Sequence, residues 1–424
     1  MHFYSLLSDL CYDRRELEAY EKSLNHIKFK PTLLLPNSIY LSPSKIADKD
    51  ADDYICIVTN VQAGEPFQLQ LAHDFQRATY SNGLHQAPLF TVTRTIAQAA
   101  ALVHKENPVV AILSKPAELL ALRTKGDVVG VAARLKDIEG ISTVLNVSMQ
   151  DLSTAKLDSN NDLIYKGHKI SVVYCRYDFS HPSGIFDMNP FDDAPASPVA
   201  WENEWQTIEK IEMSTAVVSS NIGCRLAVRR RTHYVLATQK HALGRFLKDR
   251  EEAALVRSVL PDQWSLDPTS GRDVIEEART MFEAEPDGFV AKNVLRPRTG
   301  SGKTQDRTQS GGMILKSENE IRELFFNPSK GKHYILYRKI NPKTHDSVLH
   351  HENNVHYLKN TATSELATYG AYLAANCLNN NENVRNVYRN CLAGIGSRTS
   401  VLPAFDSELA KSLGYGAINA VHVT

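Results

Sequence analysis

The stretch Val109-Val110-Ala111-Ile112-Leu113 contains no polar side chain, and Ile170-Ser171-Val172-Val173-Tyr174 has nearly the same character. Short apolar runs that are rich in β-branched residues are typical of strands buried on both faces of a parallel sheet. Further strands are predicted at 127–131 and 141–147, and helices rich in Ala and Leu at 94–105 and near 116–124. The alternation of strands and helices predicts an α/β layer over residues 107–180.

Outside this layer, the sequence patterns predict helices at 1–30, 201–214, 236–260, 273–285 and 318–326. Strands are predicted at 29–40, 54–61, 288–292, 313–315 and 334–340. Two segments lack any periodicity, 180–200 and 296–312, and both are predicted to be loops. The second is rich in Gly, Ser and Thr and carries like charges that repel one another, so we expect it to be mobile without a ligand. These charges are Arg296, Arg298, Lys303 and Arg307.

Charge and composition exclude several classes of protein. Lys and Arg number 48 and Asp and Glu number 48, which gives the 424 residues a formal net charge of zero. A dedicated nucleic-acid-binding protein usually carries a basic domain, so no nucleic-acid partner is expected. No apolar run approaches the roughly 18–20 residues of a membrane-spanning helix, so no membrane partner is expected either. The six cysteines include no CxxC pair, which excludes the common zinc and thioredoxin-type motifs.

The compartment is only weakly indicated by the sequence. The first residues have no basic start and no small-residue cleavage site, so they do not form the pattern of a signal peptide. The cytoplasm is therefore the default expectation. Secretion after removal of a signal segment remains open, because a processed chain would also lack that pattern.

The segment Gly300-Ser301-Gly302-Lys303-Thr304 contains the GKT of a phosphate-binding loop. In such a loop one glycine directly precedes the lysine, and another glycine lies five residues before that one. The backbone N–H groups of the loop must turn towards the phosphates. That position is Pro297, which has no N–H group and restricts the residue before it. The segment also lies between two predicted strands, whereas a phosphate-binding loop begins a helix. We therefore interpret it as a basic loop.

Six short stretches form an ordered series along the chain: 170–176, Trp201-Glu202, Ile222–Ala227, Phe289-Val290-Ala291-Lys292, 334–340 and Ser397-Arg398-Thr399. In this order and at these spacings the chain resembles the eukaryotic-type glutathione synthetases, which are ATP-grasp ligases, from about residue 30 to its end. Within that family it is most similar to the divergent glutathione synthetase-like proteins that are expanded in plant-parasitic nematodes. No single stretch is specific, and the resemblance depends on their order.

The resemblance implies an α/β fold of ATP-grasp type with three parts. Residues 1–106 would form the first part of the ATP-grasp body, 107–215 an inserted α/β substrate-binding domain, and 216–424 the rest of the body with a mobile lid at about 285–345. The implied reaction joins γ-glutamylcysteine to glycine with ATP and two Mg²⁺ ions, and the implied assembly is a homodimer. Phosphoryl transfer of this kind depends on positioning and on neutralising charge.

Several positions that bind Mg²⁺ or ATP in the family carry unsuitable side chains here. The resemblance places Cys56 and Val58 on a magnesium-binding strand, Arg296 at a second magnesium carboxylate, and Arg338 at a glutamate that contacts the adenine edge. Magnesium prefers oxygen ligands, so we expect Mg²⁺ and ATP to bind weakly or not at all. The acidic residues that could replace a lost carboxylate are Asp306, Glu318 and Glu320.

Four basic positions of the family are kept. The resemblance gives Arg176 and Arg398 a substrate-binding role on peptide carboxylates, and Lys292 and Arg230 a nucleotide-binding role. An arginine fork pairs bidentately with a carboxylate, which suits the first two residues for a peptide ligand. Each of the four has an equally plain alternative as a surface charge or as part of a structural ion pair. No catalytic residue is assigned.

Three functional hypotheses follow for this scaffold. The chain is a glutathione synthetase with a remodelled site, a nucleotide-dependent ligase with altered substrates, or a non-catalytic pseudoenzyme or effector that binds a peptide. Interactions made mainly in the transition state contribute several kcal/mol each, and several are replaced here together. This favours a binding protein, with glutathione or γ-glutamylcysteine as the expected ligand.

Overall fold

The structure of the chain is a computed structural model that describes residues 22, 30–41, 57–63, 88–114, 122–176, 198–219, 221–227, 230–239, 242–294, 314–315, 317–351, 354–379, 382–401 and 417–419. Ten α-helices lie within these residues: α1 Pro88–Val103, α2 Leu122–Asp137, α3 Met149–Ser153, α4 Pro198–Met213, α5 Ile222–Ala227, α6 Arg230–Thr238, α7 Arg250–Ser258, α8 Arg272–Ala284, α9 Glu318–Phe326 and α10 Pro328–Gly331.

The strands within the same residues are β1 Thr32–Leu34, β2 Pro36–Leu41, β3 Ile57–Ala63, β4 Val109–Leu113, β5 Thr143–Val147, β6 Lys156–Leu157, β7 Leu163–Tyr165, β8 His168–Ile170, β9 Val172–Cys175, β10 Val217–Val218, β11 Gln263–Ser265, β12 Phe289–Asn293, β13 Ile314–Leu315, β14 Tyr334–Arg338, β15 Thr344–His351, β16 Asn354–Asn379, β17 Glu382–Val401 and β18 Ala417–Asn419. The helices and strands predicted from 273 to 340 therefore agree with the structure to within about two residues at each end.

A parallel sheet forms where the apolar runs predicted it. Its strand order is β10-β9-β4-β5, and all three neighbouring pairs are parallel. Every residue of β4 is buried, because helices or strands cover both faces of this central strand. Ser171 separates β8 from β9, so the predicted strand at 170–174 is divided between two sheets. The predicted domain boundaries at 106 and 215 stay predictions.

The strand predicted at 127–131 is wrong, because these residues lie within helix α2. Val128, Val131 and Leu135 are fully buried, and their spacing of three and four residues is that of one helical face. The β-branched valines had indicated a strand, but the helical spacing of the apolar positions decides the structure. The predicted helix near 116–124 overlaps only the start of α2, and residues 115–121 lie outside the described part of the chain.

The pattern at 236–260 does not form one helix. The structure has α6, a short 3₁₀ turn at Leu243–Arg245, and then α7. Asp249 caps α7, since its side chain accepts a hydrogen bond from the backbone N–H of Glu251. An N-cap aspartate of this kind begins a new helix and explains the interruption.

An antiparallel sheet of seven strands contains the two longest strands of the described chain. β16 pairs with β17 along most of its length, and β1, β2 and β15 also pair with β16. The sequence patterns predicted no element beyond 340 in this region. Helix α1 packs between this sheet and the parallel sheet, and one apolar cluster joins all three. That cluster includes Val92, Ile96, Val110, Tyr174, Tyr369 and Leu373.

A second antiparallel sheet carries the segment that the sequence predicted as a lid. Its order is β11-β14-β12-β13, and it has a core of its own around Phe282 and Phe289. β12 and β13, which precede and follow the GKT segment in the chain, are antiparallel neighbours. The GKT segment itself lies outside the described residues, so its interpretation as a basic loop stays a prediction. The predicted loops at 180–200 and 296–312 lie largely or wholly outside the described residues, as does the helix predicted within 1–30.

A small three-stranded sheet of β6, β7 and β8 closes with the loop Lys166-Gly167. Both loop residues have positive φ, 48° for Lys166 and 79° for Gly167. This is the backbone of a two-residue hairpin loop whose twist matches that of the flanking strands. Glycine suits the second position because it carries no Cβ.

Candidate functional site

The carboxyl ends of the four parallel strands lie at one edge of the sheet, and Arg176 follows β9 there. Ser114, Ser148 and Ser219 follow β4, β5 and β10 at the same edge. In open parallel sheets, ligands bind in the crevice outside these ends. Hydrogen bonds connect the strands at this edge. Arg176 N donates to Leu113 O, and the hydroxyl of Ser219 accepts from Cys175 N.

Arg176 is buried and forms an ion pair with Asp127. Each side chain is 2% exposed, and Arg176 Nη2 lies 3.3 Å from Asp127 Oδ2. Asp127 lies in the second turn of α2, so this helix carries a carboxylate to the end of β9. The arginine that the sequence predicted for a substrate carboxylate therefore already contacts a carboxylate of the chain itself. Because the sequence pattern predicted a strand at 127–131, it did not indicate Asp127 as a partner of Arg176.

Tyr369 extends the pair towards the antiparallel sheet. It lies on β16, is 3% exposed and packs in the same apolar cluster as the buried face of α2. Burial raises the pKa of Tyr369, and the nearby charge of Asp127 raises it further. The phenol therefore stays neutral. Residues from β9, α2 and β16 thus meet at one point, although they are far apart in sequence.

Arg398 and Arg230 are placed by their backbones alone. Arg398 lies on β17 opposite Glu365 of β16 and Ile418 of β18, and Arg230 begins α6. The side chains of both arginines lie outside the described atoms. Whether Arg398 shares a cleft with Arg176 therefore stays a prediction, as does the nucleotide contact of Arg230.

Lys292 lies near the end of β12 in the second antiparallel sheet. Its Nζ is 4.7 Å from the centroid of the Tyr337 ring on β14, a distance at which an ammonium is attracted to an aromatic face. Lys292 is half-buried, and its backbone faces Ile335 and Ile314 in the register of the sheet. The sheet thus holds the lysine at the strand end, and its predicted role on a nucleotide stays a prediction.

Arg338, which the resemblance places at the adenine-edge glutamate, lies at the end of β14. Its Nη1 is 3.2 Å from Glu285 Oε2 and its Nε is 3.6 Å from Asp262 Oδ2. The guanidinium also lies 5.1 Å from the centroid of the Phe289 ring. Arginine has five N–H donors and no acceptor, so it cannot accept a hydrogen bond from an adenine amino group.

Val58, which the resemblance places at a magnesium-binding position, lies on β3. Its side chain is 8% exposed, and its backbone N–H donates to Val259 O at 2.8 Å. A valine side chain has no atom that coordinates Mg²⁺. Cys56 and Arg296, the other two residues that the resemblance places at magnesium positions, lie outside the described residues. Within the described ranges, no group of three His, Cys, Asp or Glu side chains is placed to hold a metal ion.

A Ser–His–Asp series occurs at the opposite end of β9. His104 Nδ1 lies 2.9 Å from Ser171 Oγ, and His104 Nε2 lies 3.5 Å from Asp162 Oδ1. The order resembles a nucleophile with its base and orienting acid. However, Ser171 is fully buried, and its oxygen already accepts a hydrogen bond from Val109 N at 3.0 Å. The backbone N–H of Val109 thus holds the hydroxyl in place, which indicates a structural role for the series.

Comparison with known proteins identifies the family of the chain. The family model described as the eukaryotic glutathione synthase ATP-binding domain matches residues 67–422. The chain belongs to the eukaryotic glutathione synthase family. The expected ATP-grasp fold is confirmed by this match, and the family is one that binds ATP and typically Mg²⁺.

Two plant proteins and one solved structure are similar to the chain. The chloroplastic glutathione synthetase of Solanum lycopersicum is 25% identical over 293 residues, which cover 69% of this chain and 46% of the plant protein. That of Arabidopsis thaliana is 25% identical over 345 residues, which cover 80% and 54%. The chain thus spans about half the length of these relatives. A glutathione synthetase-like effector, GSS30 of Globodera pallida, solved in its apo form, has a TM-score of 0.64 at 16% identity and covers 100% of this chain and 84% of its own.

None of the described helices is both long and apolar enough to cross a membrane. The apolar segment 366–378 lies within strand β16.

Proposed function

We propose that this glutathione synthetase-like protein binds a carboxylate-bearing peptide and has lost, or retains only weakly, the ATP-dependent ligation of its family. The observation that carries this proposal is Arg338. At the position of the adenine-edge glutamate stands a donor-only side chain that two local carboxylates already engage. An adenine amino group would meet a positive charge and no acceptor there.

The magnesium positions support the same conclusion. Val58 places a buried apolar side chain where the family supplies an oxygen ligand, and a hard cation gains nothing from it. Cys56 and Arg296, at the other two magnesium positions of the resemblance, also have side chains without an oxygen ligand. The replaced residues do not fit two Mg²⁺ ions, so we derive no catalytic step through them. Weak or absent binding of Mg-ATP is the expected consequence.

The peptide side of the cleft is better preserved in this proposal. Arg176 and Arg398 keep the forked cations that pair with carboxylates, and glutathione and γ-glutamylcysteine each carry two carboxylates. A ligand carboxylate would join or replace Asp127 on Arg176 and would use the fork of Arg398. This sharing predicts binding of moderate strength.

The family also suggests a homodimer, which we propose for this chain and which sedimentation would test. The neighbouring structure GSS30 is that of an effector. A non-catalytic peptide binder would suit a role of that kind, so we propose an effector-like function as one setting for this protein.

The decisive experiment measures ligation and binding on the same preparation. ADP release is followed with γ-glutamylcysteine, glycine, ATP and Mg²⁺, and calorimetry measures Mg-ATP and γ-glutamylcysteine separately. We expect ADP release near background, no micromolar affinity for Mg-ATP, and measurable binding of the dipeptide. Steady ADP release that depends on both substrates would contradict the proposal and would favour an active ligase. Micromolar Mg-ATP binding without ligation would favour a nucleotide-dependent enzyme with altered substrates.

Variants separate the peptide site from general charge effects. Arg398→Gln should weaken dipeptide binding by roughly 1.5–3 kcal/mol, the range for hydrogen bonds to charged groups. Arg176→Lys keeps a positive charge beside Asp127 but removes the fork, and should also weaken binding. Arg272→Gln is the matched control, because Arg272 is exposed at the start of α8. Equal affinities in all three variants would refute the assignment of the site.

A further inference from the structure

A cavity of about 510 Å³ lies among α1, α2 and β17, and three arginines line it. They are Arg94 of α1, Arg134 of α2 and Arg389 of β17. Glu139 is the single acidic residue of the lining. Three positive charges against one negative charge leave an excess of two. A concave site with such an excess attracts anions and favours a ligand with two negative charges.

The cavity is not the predicted substrate site. Arg389 and Arg398 lie nine positions apart on β17, and at about 3.3 Å per residue their backbones are about 30 Å apart. None of the residues that line the cavity is among those that the family resemblance assigns to peptide, nucleotide or magnesium. The cavity therefore needs an explanation of its own.

Arg134 is held firmly in this cavity. Its Nε donates to Thr93 Oγ1 at 3.2 Å, and its guanidinium carbon lies 3.3 Å from the centroid of the Phe90 ring. Glu139 approaches Nη2 only to 3.8 Å, which is a long contact for an ion pair. Stacking and one hydrogen bond fix the plane of the guanidinium. An arginine that is fixed in this way loses little side-chain entropy when it binds an anion.

Arg94 and Arg389 face the same cavity from two other elements. Arg94 is exposed and lies one helical turn after Phe90. Arg389 is half-buried, yet its Nε is shielded from solvent, and no acceptor among the described residues lies within hydrogen-bond distance of it. A buried N–H that lacks an acceptor costs free energy, so a site that leaves one is expected to supply the acceptor from a ligand.

An apolar groove adjoins the cavity and shares Arg134 and Ile138 with it. This groove of about 410 Å³ is lined further by Leu89, Val129, Gly130, Ala133 and Asp137, so its lining is apolar except for Arg134 and one carboxylate. Val129 is 51% exposed and Ile138 is 60% exposed, so both are accessible to a ligand. Burial of an apolar group here would contribute about 25 cal/mol for each Å² removed from water. The cationic cavity and the apolar groove together match an amphipathic anion.

We propose that this cavity binds a small organic dianion, with its two charges on Arg94, Arg134 and Arg389 and an apolar group in the groove beside Val129. Phosphate monoesters and dicarboxylates share this chemistry, since both offer paired oxygens to an arginine fork. The proposal is independent of the peptide site, because it uses none of the residues of that site.

Calorimetric titration of the full chain tests the proposal with four probes: phenyl phosphate, phthalate, inorganic phosphate and benzoate. We expect phenyl phosphate or phthalate to bind about tenfold or more tightly than benzoate, which has a ring but a single charge. Inorganic phosphate has the charge but no ring, so it should bind more weakly than phenyl phosphate. The stronger of the first two probes identifies the anion class. Equal binding of benzoate and both dianions, or no binding at millimolar concentration, overturns the proposal.

Variants locate the binding. Arg94→Gln and Arg389→Gln should each reduce the affinity for the stronger probe about tenfold or more. Val129→Ser should reduce the preference for phenyl phosphate over inorganic phosphate and leave the affinity for inorganic phosphate unchanged. Arg272→Gln, far from the cavity in sequence and on α8, should behave as the wild type. Thermal melting confirms that each variant folds. Unchanged affinity in a folded Arg94→Gln/Arg389→Gln double variant would overturn the proposal.

Discussion

Replacement of Asp127 by Asn tests the buried ion pair at the carboxyl end of β9. Asp127 and Arg176 are each 2% exposed, and their nearest atoms are 3.3 Å apart. Two unit charges at this distance attract by about 5 kcal/mol at an effective dielectric constant of about 20, before the cost of desolvation is subtracted. Breaking a buried ion pair by removing one charged partner typically costs about 3–5 kcal/mol. We therefore expect Asp127→Asn to lower the free energy of unfolding by about 3–5 kcal/mol.

Chemical denaturation followed by tryptophan fluorescence measures this change. Trp205 is 2% exposed in the apolar cluster on one face of the parallel sheet, so it reports the unfolding of this sheet. Glu283→Gln is the matched control. It removes an exposed pair with Arg279 on α8, where an i,i+4 pair contributes only about 0.3–0.5 kcal/mol.

The double variant Asp127→Asn/Arg176→Met separates the lost attraction from the cost of the buried arginine charge. An apolar side chain of similar volume removes the buried charge, so the double variant should recover much of the stability that the single variant loses. A loss below about 1 kcal/mol in Asp127→Asn would refute the reasoning. A double variant that is less stable than Asp127→Asn would also contradict it.

Three further predictions concern stability. Burial raises the pKa of Asp162, but hydrogen bonds from Lys169 at 2.7 Å and Thr215 at 2.6 Å outweigh it and hold that pKa below its ordinary value. A carboxylate whose pKa is lower in the folded state than in the unfolded chain stabilises the fold at pH values above its unfolded pKa. This stabilisation is lost as the pH falls through the folded-state pKa. In acid denaturation, the free energy of unfolding should therefore fall less in Asp162→Asn than in the wild type. Gly331→Ala should destabilise by about 1–3 kcal/mol in denaturant titration, because a Cβ there would lie 2.7 Å from Leu324 O, a backbone atom that moves only with its helix; no change would contradict the packing. Phe282→Ala should lower the free energy of unfolding by about 3–5 kcal/mol, since Phe282 is fully buried against Phe289 and Phe325. Phe326 is exposed, so Phe326→Ala should lower it far less. Equal losses of stability in the two variants would refute the assignment of this core.

Much of the local structure could be predicted from the sequence. The run Val109–Leu113 is a buried parallel strand, and the predicted helix at 318–326 coincides with α9. Both have a strong pattern of their own, since one is wholly apolar and the other is amphipathic with acidic residues in its first turn. The resemblance to glutathione synthetases was also visible in the order of short stretches, and the family match confirms it.

Other elements depend on partners that the local pattern does not show. Residues 127–131 contain valines that suit a strand, but Val128 and Val131 face an apolar cluster from one side of a helix. Strands β16 and β17 were not predicted, because strand propensity depends strongly on the neighbouring strand and on burial. Their pairing from Ala362↔Val401 to Asn379↔Glu382 supplies that neighbour.

The sequence by itself determined the family and the buried strands with continuous apolar runs, because both depend on residue identity and on order over short distances along the chain. Only the tertiary structure showed that Asp127 pairs with Arg176, that Asp262 and Glu285 engage Arg338, and that three arginines from α1, α2 and β17 line one cavity. These contacts join residues that are tens to hundreds of positions apart. A charge selects its partner by distance in space and by the cost of burial, and both are fixed only when the sheets and helices pack together.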